Sequence, residues 1–236
     1  MTDHAVVSHD EWLEARAELL REEKAFTRER DALGRRRREL PWERVEKEYV
    51  FEGPEGKRTL AELFDGRGQL VVYHFMFNPD DDWDEACKHC SFWADNFNPV
   101  IIHLNARDVT MVAVSRAQID KIERYKRRMG WSFTWLSSYG SDFNYDFGVS
   151  FAPDDLERPV YNVGTIAPGL PDREGVSVFV KDASGRVFRA YSTYGRGIDM
   201  LNTAYHYLDL VPGGRGEEGQ SPQYWVRRHD EYDGGS

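Results

Sequence analysis

Long apolar runs are absent from this chain: nothing in its 236 residues approaches the ~18 consecutive apolar positions that a membrane helix needs. The N-terminus, MTDHAVVSHDEWLEARAELL, also lacks the basic-then-apolar layout of a secretory signal. A cytoplasmic protein of bacterial style, with no membrane partner, is expected. Net positive charge is lacking too. The formal balance of -10 argues against a nucleic-acid partner. The local exception, the arginines of GRRRREL, ends an acidic helical stretch and reads as favourable charge at the negative end of a helix. Cysteine is scarcest of all. Only Cys87 and Cys90 occur, both inside DEACKHCSFWADNF. A static structural disulfide does not suit a reducing cytosol, so this CxxC spacing is read for its chemistry.

What is present suffices for an ordinary domain. With 40% hydrophobic and 14% aromatic residues, the chain can bury a full core in one unit. The pattern divides it into an N-terminal helical extension (1–41), a main domain (42–212) and a C-terminal tail (213–236). In the first part Trp12, Leu13, Leu19, Leu20, Phe26 and Leu33 recur at three- and four-residue steps among dense charges. Ser8 and Glu11 have capping-box spacing, and Pro41 marks the stop. An apolar stripe this thin calls for a covering surface, and a homodimer through the helix is one expectation. The tail is Gly-rich and polar, with YWVRRHDEY its one adhesive element, and reads as loosely docked.

Within the main domain, residues 48–51 and 69–77 read as strands. The second, LVVYHFMF, has the near-continuous apolar character of a strand buried on both faces. A helix over 88–105 follows, then a strand over 109–114, a helix over 116–129 and a short strand over 133–136. Residues 176–180 and 187–191 form a hairpin around 182–185, and a helix over 197–208 closes the domain. This order, strand, CxxC helix, strand, helix, hairpin, helix, is that of a thioredoxin-like α/β fold. The aromatics Trp131, Phe133, Trp135, Phe143, Tyr145, Phe147 and Phe151 read as core more readily than as a pocket above the cysteines.

A dithiol that follows a buried strand and opens a helix is placed where backbone N–H groups stabilise a thiolate on its first sulfur. Cys87 is therefore the candidate nucleophile, and Cys90, one turn further in, would resolve a mixed disulfide. Lys88 and His89 add positive or proton-donating character beside the thiolate. The acidic approach, Asp80, Asp81, Asp82, Asp84 and Glu85, acts in the opposite sense. A metal is the rival reading. Cys87 and Cys90 with an imidazole from His74 or His103 could hold copper or zinc, although the fourth ligand of a zinc finger is missing at 107–109. For His74 alone, a hydrogen-bonded core histidine is the plainer reading.

The segments LPWERVEKEYVFEGPEG, QLVVYHFMF, CKHCSFWADNF, RMGWSFTWLSS, YSTYGRG and YWVRRHDEY together resemble the bacterial thioredoxin-like family known as domain of unknown function 899. The resemblance spans nearly the whole chain. It implies a thioredoxin-like or peroxiredoxin-like central sheet flanked by helices, with the CxxC at Cys87 and Cys90, and supplies no activity. Departures from thioredoxins are informative. Ala-Cys-Lys-His-Cys replaces the usual Trp-Cys-Gly-Pro-Cys, and its histidine is similar to that of oxidising disulfide enzymes. Where thioredoxins carry a cis-proline before the hairpin, which helps bind substrate and keeps metals from the dithiol, this chain reads Glu174-Gly175-Val176-Ser177. The Pro-x-x-x-Thr/Ser-x-x-Cys pattern of peroxiredoxins is absent. The leading expectation is thiol–disulfide redox chemistry at Cys87, Cys90 and His89 on a thiol, disulfide or small-molecule substrate, without a cofactor. Copper or zinc binding, or a copper-dependent oxidase, is the alternative, and a non-catalytic interaction module the third.

Overall fold

The computed structural model describes residues 4–165 and 169–232. The chain forms two compact units, Met1–Pro41 and Trp42–Ser236. The first is one helix, α1 (His9–Arg38), opened by the expected capping box: the Ser8 hydroxyl accepts from Glu11 N–H, and the Glu11 carboxylate accepts from Ser8 N–H at 2.9 Å. Arginines fill its last turn, where the helix dipole favours cations.

The second unit is built on an eight-stranded mixed sheet. In chain order its elements are β1 (Glu43–Arg44), β2 (Val50–Gly53), β3 (Gly56–Thr59), β4 (Gln69–His74), α2 (Lys88–Ala94), α3 (Phe97–Asn105), β5 (Val109–Ser115), α4 (Ile119–Arg128), β6 (Trp135–Ser137), α5 (Phe143–Asp146), β7 (Val160–Tyr161), β8 (Gly164–Thr165), β9 (Gly175–Lys181), β10 (Val187–Tyr194) and α6 (Thr203–Leu208). The sheet order is β1-β10-β9-β4-β5-β6-β2-β3, and β7 and β8 form a separate ribbon. β5 lies parallel to β4 on one side, and β9 antiparallel on the other. The β10-β9-β4-β5 core, with helices following β4 and β5, is the thioredoxin-like arrangement. Among the described residues no helix is long and apolar enough to cross a membrane.

Alternation along β4 decides what faces the dithiol. Tyr73, with Phe75 beyond the strand end, enters a cluster containing Cys90, Trp93, Phe97, Tyr125 and Trp135. Leu70 and Val72 enter a second cluster with Phe64, Phe143, Phe147 and Phe179. Successive side chains of a strand point to opposite faces, so one strand serves two cores. Most of the aromatic stretch is core and is divided between both: Trp131, Phe133 and Trp135 in the first, Phe143 and Phe147 in the second, whereas Tyr145 is exposed.

Two expectations are corrected. The helix over 88–105 is broken into α2 and α3 at Asp95 and Asn96. Pro99 explains the break, because an uninterrupted helix would put its ring and missing N–H in the interior, whereas a restart at Phe97 puts it in a first turn. The tail is not loosely docked. Val226 is fully buried, Trp225 packs against the cysteine-side core, and Arg128 pairs with Asp230 and Glu231 at 2.7 and 2.9 Å.

Candidate active site

The dithiol is fastened to the strand exit by its own backbone. Cys87 N–H donates to the Met76 carbonyl at 3.2 Å, and Met76 N–H approaches Cys90 Sγ at 3.5 Å. The acidic loop before it is held from α4 and the β5 exit. Lys121 donates to the Pro79 and Asp81 carbonyls at 2.7 and 2.6 Å, Arg116 to Asn78 at 2.8 Å, and Arg124 lies 3.7 Å over the Trp83 ring. These cations hold the loop through its carbonyls, the Asn78 amide and the Trp83 ring.

Cys87 caps α2, its Sγ accepting from Cys90 N–H at 3.4 Å. It is half-buried, while Cys90 is buried, and both are free thiols. The two sulfurs are driven apart in acidity. Cys87 is held well below the usual thiol range, foremost by the hydrogen bond from the Cys90 side chain; burial opposes this, and His89 and the Cys90 N–H reinforce it. Burial, followed by the nearby Cys87, pushes Cys90 well up. Because α2 is only seven residues long, these discrete donors outweigh any long-helix dipole. Ser91 donates to the Cys87 carbonyl at 3.0 Å and pairs with the Tyr125 hydroxyl at 2.8 Å, so the turn has little freedom.

Both cysteines line a cavity of about 280 Å³, Cys87 the more exposed of the two. Tyr73, Met76, His89 and Trp93 line it beside the thiols, and the rest of its wall comes from residues around Arg173 and Glu174, from the turn Gly195–Leu201, and from Pro222 and Gln223. Tyr161 joins two parts of that wall: its hydroxyl donates to the Glu174 carbonyl at 2.6 Å and accepts from Gly195 N–H at 2.8 Å. Gly195 has φ +52°, a conformation that favours glycine. Gly175 is required sterically, since a Cβ there would lie 2.6 Å from the Tyr194 ring. The Glu174 carboxyl is pushed up, first by burial and then by the charge of Cys87.

Of the residues singled out in the sequence, the fold assembles Cys87, Cys90 and His89 around one cavity and leaves the other two histidines elsewhere. His74 points to the opposite face of the sheet, stacked on Phe143 at 5.5 Å and hydrogen-bonded through Nε2 to Ser177 at 2.9 Å. His103 is exposed in the last turn of α3. Among the described residues no group of three or more His, Cys, Asp and Glu side chains is arranged to hold a metal ion. The donor set envisaged for copper or zinc is therefore not assembled: two thiols are present without the third ligand expected of His74 or His103.

The chain belongs to the bacterial family of unknown function DUF899. The match runs over residues 1–232. No curated protein matches this DUF899 chain. It is similar in structure to peroxidoxin BcpB from Mycobacterium tuberculosis, at 14% identity over 68% of this chain and 92% of that one, with a TM-score of 0.45. It is also similar to a bacterioferritin comigratory protein from Xanthomonas campestris, at 11% identity over 66% and 86% of the two chains and a TM-score of 0.44. A peroxiredoxin-like protein from Aquifex aeolicus aligns at 16% identity, 65% and 74% coverage and a TM-score of 0.40.

Several wall residues were not visible as site residues in the sequence. Glu174 left a trace, because a carboxylate stands where thioredoxins carry proline. Tyr73 reads only as part of an apolar strand, and Arg173, Gln223 and the bridging Tyr161 carry no signal.

Proposed function

We propose that this DUF899 protein is a thiol–disulfide oxidoreductase whose reduced dithiol cleaves a substrate disulfide. The observation that carries the reading is the asymmetry of the pair: Cys87 is half-buried at the cavity with Cys90 N–H aimed at its sulfur, and Cys90 is buried behind it. Cys87 thiolate attacks one sulfur of the substrate, forming a mixed disulfide and releasing the first thiolate. Cys90 then loses its proton to solvent or to a carboxylate of the wall and attacks Cys87 Sγ, releasing the second thiolate. Two electrons pass from the dithiol to the substrate, and the protein ends as the Cys87–Cys90 disulfide. An external dithiol reductant would be needed to return it for another cycle.

Single-turnover reaction of the reduced protein with a chromogenic disulfide tests this. Two thiolates should appear per chain, Cys87→Ser should release none at a comparable rate, and Cys90→Ser should stop at a mixed disulfide seen by mass spectrometry. Undiminished release by Cys87→Ser would overturn the assignment.

A further inference from the structure

Two donors on the cavity wall have no acceptor. Tyr73 is fully buried and lines the cavity; its Oη neighbours the Cys90 thiol and makes no well-formed hydrogen bond. Arg173 also lines the cavity, and its Nε is buried and unpartnered. Buried polar atoms in folded proteins nearly always find a partner, and two exceptions on one cavity wall are accounted for together by a ligand that accepts from both. Neither is an accident of a crowded ion network. Arg196 and Asp199, also in the wall, pair with each other at 3.3 Å, and Asp199 pairs with Arg215 at 3.2 Å. Arg173 makes no salt bridge among the described residues; its charge acts on the neighbouring Glu174 only at longer range.

The chemistry of the two donors selects the acceptor. A guanidinium presents Nε–H and one Nη–H as a flat fork that matches a carboxylate, and such charge-assisted bonds are the strong ones. A phenol O–H donates to the same kind of oxygen. The cavity also limits size. At about 280 Å³ it falls at the small end of ligand pockets, and segments remote in sequence frame it, which suits a compact molecule rather than an extended polypeptide. We infer that the substrate is a small disulfide bearing a carboxylate, which Arg173 and Tyr73 hold while one of its sulfurs meets Cys87. This assignment rests on the disulfide-cleaving reading above and adds to it the class of molecule.

Two chromogenic disulfides separate the assignment from that reading: 5,5′-dithiobis(2-nitrobenzoate), which carries carboxylates, and 2,2′-dithiodipyridine, which carries none. Each releases two coloured thiolates per dithiol, and the chain has no other cysteine to confuse the signal. Arg173→Met should slow the carboxylated reagent about tenfold, as expected for one lost charge-assisted bond, and leave the neutral reagent within about twofold of the parent rate. Tyr73→Phe, whose hydroxyl also neighbours Cys90, should slow the carboxylated reagent more than the neutral one. Arg173→Lys, which keeps the charge but not the fork, should recover only part of the loss. Arg38→Met, with the same change in net charge, should alter neither rate. Equal slowing of both reagents, or of neither, would overturn the carboxylate assignment while leaving the dithiol chemistry standing. Failure of the parent protein to react with either reagent would remove the disulfide-cleaving reading and the substrate class with it.

Discussion

Arg228 donates to the Ala86 carbonyl at 3.0 Å, immediately before Cys87 in the chain, and to the Tyr125 hydroxyl at 2.9 Å. Tyr125 in turn pairs with Ser91, whose hydroxyl donates to the Cys87 carbonyl. The C-terminal segment and the dithiol turn therefore share one hydrogen-bonded network. Phe92, within α2, meets Trp225 edge-on at 5.5 Å, adding an apolar contact to the polar one. A segment whose composition reads as loosely docked is packed onto the back of the reactive turn.

Arg228→Ala should loosen that turn. It leaves the Ala86 carbonyl and Tyr125 hydroxyl with one donor fewer, a loss of about 1–3 kcal/mol where buried groups are left unsatisfied. Amide exchange over 86–91 should accelerate, and alkylation of Cys90 should accelerate with it, because that sulfur reacts only when the turn opens. Unchanged exchange in this segment would show that the C-terminal contact does not restrain the dithiol.

The acidity difference between the sulfurs sets the pH dependence of labelling. The thiolate is the reactive form, and Cys87 is held well below the usual thiol value of ~8.5. Its alkylation rate should reach a plateau on the acid side of that value, at lower pH than an unperturbed thiol. Cys90, pushed up by burial, should react slowly until the solution is strongly alkaline, measured in Cys87→Ser to isolate it. Coincident pH profiles would contradict the nucleophile assignment.

Legibility in the sequence followed the range of the interactions involved. β4, the β9–β10 hairpin and the helix start at Ser8 are written in local patterns of period two, turn residues and capping pairs. The same parity argument, carried one step further, separates His74 from the cysteines: it shares a face with Leu70 and Val72, and Tyr73 takes the other. Pro99 likewise marks the division between α2 and α3. The cavity wall is another matter. Arg228 meets Tyr125 across 103 residues, and Trp93 Nε1 reaches the Ile198 carbonyl across 105. No periodicity encodes contacts of that range, so Arg173, Tyr161 and the C-terminal residues become site residues only once the chain is folded.

The wall also depends on an ion pair to the buried carboxylate of Asp172. Arg116 donates to Asp172 at 3.0 Å and to Asn78, joining the loop before the dithiol to the residues that lead into Arg173 and Glu174. Ser150 donates to the same carboxylate at 2.6 Å. Removing one partner of such a pair leaves an uncompensated buried charge, so Arg116→Met should destabilise the protein by about 3–5 kcal/mol. The double variant Arg116→Met, Asp172→Leu should recover part of this loss in denaturant unfolding. Strict additivity of the two substitutions would mean that the pair is not coupled.

His74 makes the fold acid-sensitive in a defined direction. Burial lowers its pKa from 6.5 to about 3, so the folded protein keeps the ring neutral while the unfolded chain protonates below 6.5. The unfolded state then binds more protons, and stability falls as pH drops from about 6.5 towards 3, flattening below that because both states are protonated. At pH 5 the contribution amounts to roughly 2 kcal/mol lost relative to neutrality. His74→Leu should remove this slope, leaving Ser177 its contact with Ser192 at 3.1 Å. Urea midpoints measured from pH 7.5 to 4.5 on both proteins decide the matter: a parent curve that declines while the variant curve stays flatter by about that amount assigns the acid sensitivity to His74, and parallel curves assign it elsewhere.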